Sequence, residues 1–194
     1  MGIPPFLHEI RTMQTESNQL INNLLALTDS LTVRVQRLKT LGEASLNKKE
    51  NAEQWSVLEC LEHLNLYGDY YLPEIEKAIM AQKPGSGSRV FNSGLLGNYF
   101  ANLMRAAAKP GKMKSPQDKN PANSALNITT LDRFLKQQER LKTLLTQARQ
   151  VDLTKTKTPI SISKLVKLRL GDTFRFLVYH IERHVKQAET VAHV

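Results

Sequence analysis

Cysteine is almost missing from this 194-residue chain; Cys60 stands alone. No disulfide can close within the chain, and zinc knuckles built on several cysteines are excluded. Long apolar runs are missing as well. None approaches the roughly 20 residues that a membrane-spanning helix needs. The opening residues, MGIPPFLHEIRTMQTES, carry no basic segment followed by an apolar one, so no secretory leader is expected. Phe6 stands where N-myristoylation requires Ser or Thr. No run alternates as a half-buried strand does, and no repeat of 20–50 residues is visible. What is present is ordinary for a globular protein: 41% apolar and 23% charged residues, which is wrong for a disordered chain. The length suits one domain over residues 1–194 with a core that needs no staples. The expectation is a soluble, cytoplasmic protein without a membrane partner.

Charge is uneven. The chain carries +9 overall, but residues 1–80 hold 7 basic and 11 acidic side chains, and residues 81–194 hold 20 and 7. A basic half can attract nucleic acid or an anionic small molecule. Yet the cations are scattered, without a block of five or six, and no zinc-finger spacing, basic zipper or RNP-like motif accompanies them. A solvated basic face is favoured over a nucleic-acid site.

The apolar spacing predicts four long amphipathic helices. The first spans 6–41, weakly interrupted at Thr28-Asp29-Ser30, with Pro4 and Pro5 at its start and Gly42 as its stop. A polar connection follows over 43–54. The second begins at a capping box, Ser56 with Glu59 three residues on, bends at Pro73 and ends before Lys83-Pro84-Gly85. A short helix occupies 92–107 and a basic loop 108–121. The third long helix covers about 122–150. Residues 151–171 read as a connector, and the last helix, 173–191, takes Asp172 as its N-cap. The expected fold is an all-α four-helix bundle with one short extra helix.

His180 and His184 lie four apart on the last helix, so both imidazoles share one face, one turn apart. They continue the stripe Thr173, Leu177, His180, His184, Ala188, Val191, so they point into the bundle. His63, between Leu61 and Leu64 on the second helix, is the third candidate. Three imidazoles from two facing helices suit Zn2+, Ni2+ or a similar ion, and three protein ligands leave open positions, the mark of a catalytic site. A divalent ion there lowers the pKa of a bound water or thiol and polarises a carbonyl. The plain alternative is a pair of core histidines, but buried imidazoles without partners are poorly satisfied.

The run Trp55-Ser56-Val57-Leu58-Glu59-Cys60-Leu61-Glu62-His63-Leu64 resembles the second-helix signature of the DinB/YfiT-like superfamily. The run His180-Ile181-Glu182-Arg183-His184-Val185-Lys186-Gln187 resembles its last-helix signature, H-x2-R-H-x2-Q. Lys112-Met113-Lys114-Ser115-Pro116 with Pro121 resembles the segment before the third helix. The likeness covers roughly residues 30–190. It implies an up-down-down-up bundle, a divalent metal held by His63, His180 and His184, and a homodimer. Members of that superfamily include transferases and isomerases that use low-molecular-weight thiols, and others treated as metal-dependent hydrolases. A fold gives a site and not a substrate.

Candidates for roles beside the metal are Glu59, Tyr67 and Arg183. Glu59 and Tyr67 each lie four residues from His63. Glu59 is a general base or an imidazole-orienting carboxylate, set against its capping-box role. Tyr67 is a donor to a bound oxygen. Arg183 either binds an anionic substrate or pairs with Glu62. Cys60, three before His63, is a fourth ligand or a small buried hydrophobe, the second being favoured. Trp55 is expected to pack at the helix start, and His8 and His193 to be exposed. Arg105 and the loop 109–119 are candidates for attracting the carboxylates of a thiol cofactor. The leading function is a metal-dependent transferase or hydrolase acting on a small molecule. A non-catalytic metal-binding or stress-response bundle is the alternative, and nucleic-acid binding stands third.

Overall fold

The structure is a computed structural model that describes residues 13–51, 53–105 and 115–194. It is mostly helical. In chain order it contains β1 (Gln14–Glu16), α1 (Ser17–Leu38), α2 (Glu43–Leu46), α3 (Val57–Met80), β2 (Val90–Asn92), α4 (Leu95–Arg105), α5 (Thr129–Gln147), β3 (Lys157–Ile160), β4 (Ser163–Arg169) and α6 (Leu170–Ala192). The expected helix start at residue 6, the surroundings of His8 and residues 108–114 of the basic loop lie outside the described residues.

α1 is unbroken at Thr28-Asp29-Ser30. Thr28 donates its hydroxyl to the Leu24 carbonyl at 2.8 Å, and Thr32 donates to that of Thr28 at 2.8 Å. These back-bonds satisfy polar side chains inside a helix instead of ending it. After α1 a 3-10 turn reaches Leu41, and Gly42 reverses the chain at φ +76°, a left-handed value that suits glycine. The connection at 43–54 is not wholly irregular, since α2 buries Leu46 in the core.

α3 opens with the anticipated capping box. The Glu59 amide donates to the Ser56 hydroxyl at 3.2 Å, and the Ser56 amide donates to the Glu59 carboxylate at 2.8 Å. The helix continues through Pro73 to Met80. α5 starts at Thr129, later than expected. Asn127 takes the Thr129 amide at 2.9 Å and hydroxyl at 2.6 Å, while Glu43 takes the Ile128 amide at 2.9 Å. Those bonds hold the approach in a non-helical form.

Two departures lie at the end of the chain. The 151–171 connector contains a hairpin, β3 against β4, with Lys157 opposite Arg169 and Pro159 opposite Lys167. A second antiparallel pair joins β1 to β2, Thr15 opposite Phe91. The fold is therefore helical with two small sheets rather than purely α. Asp172 is not the N-cap of α6 either. The helix starts at Leu170 with Arg169 as its cap residue, and Asp172 is fully buried in the first turn. Its carboxylate accepts the Gly94 amide at 2.7 Å, bonds the Ser93 hydroxyl and pairs with Arg175 at 3.0 Å. Arg175 also donates to Asn98 at 3.0 Å, so this buried group fastens the start of α4 to α6.

The four long helices enclose one apolar core that includes Ile21, Leu31, Leu61, Ile75, Phe134, Leu145, Phe174 and Val185. α3 packs on α5 and α6, and α1 packs on the same two. Cross-ties mark these seams. Lys39 bonds Asp132 at 2.6 Å and Lys142 meets Asp29 at 3.1 Å. Arg133 reaches Glu62 at 3.0 Å and also Asp69. Arg34 is held bidentately by Glu189. The α3–α6 seam carries the histidines.

Candidate metal centre

His63 comes from the second turn of α3, whose start the capping box fixes. His180 and His184 come from successive turns of α6. The stripe argument holds for His180, which is 5% exposed beside His63 at 3%, while His184 is half-buried at the edge of the cluster. Candidate ligand atoms of the three lie within 4.8 Å of one another, and Cys60 is not among them. Ring centroids stand 5.0 Å apart for His63 and His180, 4.6 Å for His63 and His184, and 4.7 Å for His180 and His184.

Two of the rings are oriented by acceptors on their far sides. His63 Nδ1 lies 2.6 Å from the carbonyl of Lys119. A carbonyl only accepts, so Nδ1 carries the proton and Nε2 keeps its lone pair. His184 Nδ1 lies 2.9 Å from Gln187 Oε1, which fixes the same tautomer. Partners of this kind turn imidazoles toward a metal and raise their basicity as ligands. His63 Nε2 is 3.2 Å from His180 Nε2. Two nitrogens bound at about 2.05 Å to one tetrahedral ion stand about 3.3 Å apart, which matches. Nδ1 of His180 is buried without a hydrogen-bond partner among the described residues. As a purely structural polar group the cluster is under-satisfied, whereas as a donor set it is neutral, nitrogen-rich and convergent. The residues fit a divalent ion.

Burial also keeps the set neutral. It pushes His63 down to about 4 and His184 down to about 3, with the Arg183 cation adding to both. His180 is driven well below its usual value by burial and then by the neighbouring imidazoles. Neutral imidazole is the form that ligates.

The cluster forms one end of a cavity of about 240 Å3. Its walls are Trp55 and Tyr67 near the histidines, Phe100 and Met104 from α4, Phe176 from α6, and Ile160 to Ile162 from the hairpin. Trp55 does more than pack at the helix start, since its ring centroid is 4.8 Å from that of His63 and 5.8 Å from that of His184. Phe176 stacks on His180 at 5.6 Å. Tyr67 lies 4.4 Å from His180, ring to ring, and burial pushes its hydroxyl up to about 12, so it stays a protonated donor.

The remaining candidates separate. Glu59 does not line the cavity. Its carboxylate holds the Ser56 amide, pairs with Lys49 at 2.6 Å and accepts the Asn123 amide at 2.7 Å. It is a helix cap and not a free base. Burial pushes the Cys60 thiol up, which opposes a thiolate role. Glu62 pairs with Arg133, not with Arg183. Arg183 instead lines the cavity. Arg105 stacks its guanidinium over Tyr179 at 5.0 Å. His193 is exposed and 3.2 Å from Glu50. Sequence reasoning missed the parts played by Trp55, Phe176 and the Lys119 carbonyl. Only Gln187, three residues after His184, carried a readable signal.

No curated protein and no solved structure matches the chain. The model of one family, the DinB superfamily, matches residues 26–188. That span contains both histidine runs and all four long helices apart from their outer ends. By this match, which takes in most of its length, the chain belongs to the DinB superfamily.

Proposed function

We propose that the protein is a metal-dependent enzyme acting on a small molecule, with His63, His180 and His184 holding one divalent ion, zinc or nickel. The observation that carries the reading is the convergence of three neutral imidazoles, two of them fixed by the Lys119 carbonyl and Gln187, at the end of an apolar cavity. A bound ion would supply Lewis-acid polarisation and activation of a water or a low-molecular-weight thiol, the chemistry of a transferase or hydrolase. The chain's own residues do the rest. Tyr67 packs its ring against His63 and His180 and keeps its hydroxyl protonated. Trp55, Phe176 and the hairpin give the cavity beside the cluster apolar walls.

The bundle that carries the site is read as one unit with up-down-down-up order. The ties of Lys39 to Asp132 and Lys142 to Asp29 support antiparallel α1 and α5. The ties of Glu62 to Arg133 and Glu76 to Arg140 support parallel α3 and α5. The pairing of His63 with His180 and of Tyr71 with Phe176 supports antiparallel α3 and α6.

The test is turnover by zinc- or nickel-loaded protein on a panel of thiol transfers to epoxides or alkyl halides and of ester and amide hydrolyses. Turnover that is lost in His63→Ala supports the enzyme. Loaded protein with no turnover on any of them, whose melting temperature falls in His63→Ala, moves the non-catalytic metal-binding bundle to the front.

A further inference from the structure

Arg183 raises a question that the metal reading does not answer. Its side chain lines the cavity, half-buried, its positive charge acts on all three histidines, and it makes no hydrogen bond or ion pair among the described residues. Four of the other five arginines on the long helices are paired with an acid: Arg34 with Glu189, Arg133 with Glu62 and Asp69, Arg140 with Glu76, Arg175 with Asp172; the fifth, Arg37, is exposed to solvent. A partly desolvated cation without a counter-charge is costly, and it is the state expected of a group that receives its anion from a ligand. No acidic side chain lines the cavity among the described residues, so nothing in the wall competes for that anion.

The rest of the wall states what the anion is attached to. Trp55, Tyr67, Phe100, Phe176, Met104 and Ile162 offer ring faces and apolar surface with few hydrogen-bonding groups. Pockets of this composition take most of a ligand's surface by apolar contact and fix its direction through a few polar groups. The ligand donors of the cluster are neutral, so they do not offset the charge of Arg183 or of an ion held there. The chain's net charge of +9 adds a field that favours negative ligands.

We infer that the cavity binds a compact apolar or aromatic acid, with its body against the Trp55, Phe100 and Phe176 rings and its anionic group on Arg183 beside the histidines. This rests on the metal reading only for the claim that the bound molecule is the substrate; the anion site stands on Arg183 and the cavity walls. A bidentate guanidinium contact fixes the head and so turns the adjoining atoms of the ligand toward the imidazole cluster.

Trp55 is the chain's single tryptophan and lines the cavity, so its fluorescence reports occupancy directly. The experiment titrates the full chain, zinc-loaded and chelator-treated, with phenylacetate, its neutral analogue phenylacetamide, and acetate. Saturable phenylacetate binding is expected in both forms, at least about tenfold tighter than the amide or acetate. Arg183→Gln is expected to remove that preference while keeping amide binding, and Arg183→Lys to restore part of it. Equal binding of acid and amide by the unaltered chain overturns the inference without any variant. So does acetate binding as tightly as phenylacetate. An acid preference that survives in Arg183→Gln but disappears on zinc removal assigns the anion to the metal and also overturns it, leaving the metal reading intact. An Arg183-dependent preference in a chain that takes up no zinc supports the anion site and removes the metal reading alone.

Discussion

The chemistry of this chain is concentrated in a few side chains whose environments differ sharply from water. His63, His180 and His184 are held neutral by burial, and that has a consequence for the metal-free protein. His63 is lowered from 6.5 to about 4 and His184 to about 3. Between 6.5 and those values the unfolded chain binds protons that the folded chain does not. Stability therefore is complete above pH 6.5 and falls as pH drops through this window. For His63 alone the loss by pH 4 is about 3 kcal/mol. Urea melts of chelator-treated protein at pH 7.5, 6, 5 and 4 check it; flat stability over that range contradicts neutral burial. Asp172 and Arg175 make a second expectation. Asp172→Ala leaves a buried, uncompensated guanidinium and is expected to cost about 3–5 kcal/mol in the same melts. The pair His180 and His184 was legible because helical period places them one turn apart on one face, and His63 was joined to them by its place beside the core stripe of the second helix and by the resemblance of the two histidine runs. That Arg183 takes no acid among the described residues was not legible, because a lone arginine in sequence carries no sign of which acid its neighbours have already taken.

Helices were legible where a stripe and a boundary signal agreed, as in α3 with Ser56, Glu59 and an apolar face. They were misjudged where a side chain bonded the backbone against the pattern. Thr28 suggested a break and instead bonds Leu24 within α1, and Asn127 delays α5 that the leucines would have begun earlier. The β3–β4 hairpin was hidden for another reason. Leu165 is 94% exposed and Ile162 67%, so apolar residues occupy the outer positions and no polar alternation appears. Pro159 further argued against a strand. Two substitutions test the element boundaries. Ser56→Ala removes the α3 cap and is expected to cost about 1 kcal/mol. At Gly97 an added methyl would meet the Asp172 side chain at 2.4–2.5 Å, because α4 lies directly on α6 there. Gly97→Ala is expected to cost about 1–3 kcal/mol, since neither backbone nor the buried carboxylate can give way. Both are read from urea midpoints, and a Gly97→Ala chain as stable as the parent contradicts that close seam.

At the scale of the whole molecule the unequal halves of the chain are complementary. Cations of α5 meet acids of α1 and α3: Arg133 with Glu62 and Asp69, Arg140 with Glu76, Lys142 with Asp29. Part of the charge contrast read from sequence is thus internal pairing across helix seams, each exposed pair contributing at most about 1 kcal/mol. Duplex DNA at 0.15 M salt is accordingly expected to show no saturable binding by fluorescence anisotropy, and a strong salt-dependent affinity would contradict that reading. The central claim is the three-histidine metal centre, and elemental analysis of tag-free protein tests it most directly. After exposure to zinc or nickel and removal of excess, the chain should hold about one ion, and His180→Ala should hold almost none, because two remaining imidazoles seldom retain an ion through buffer exchange. No ion in either protein, or equal content in both, contradicts the claim and makes His63, His180 and His184 polar residues of the core.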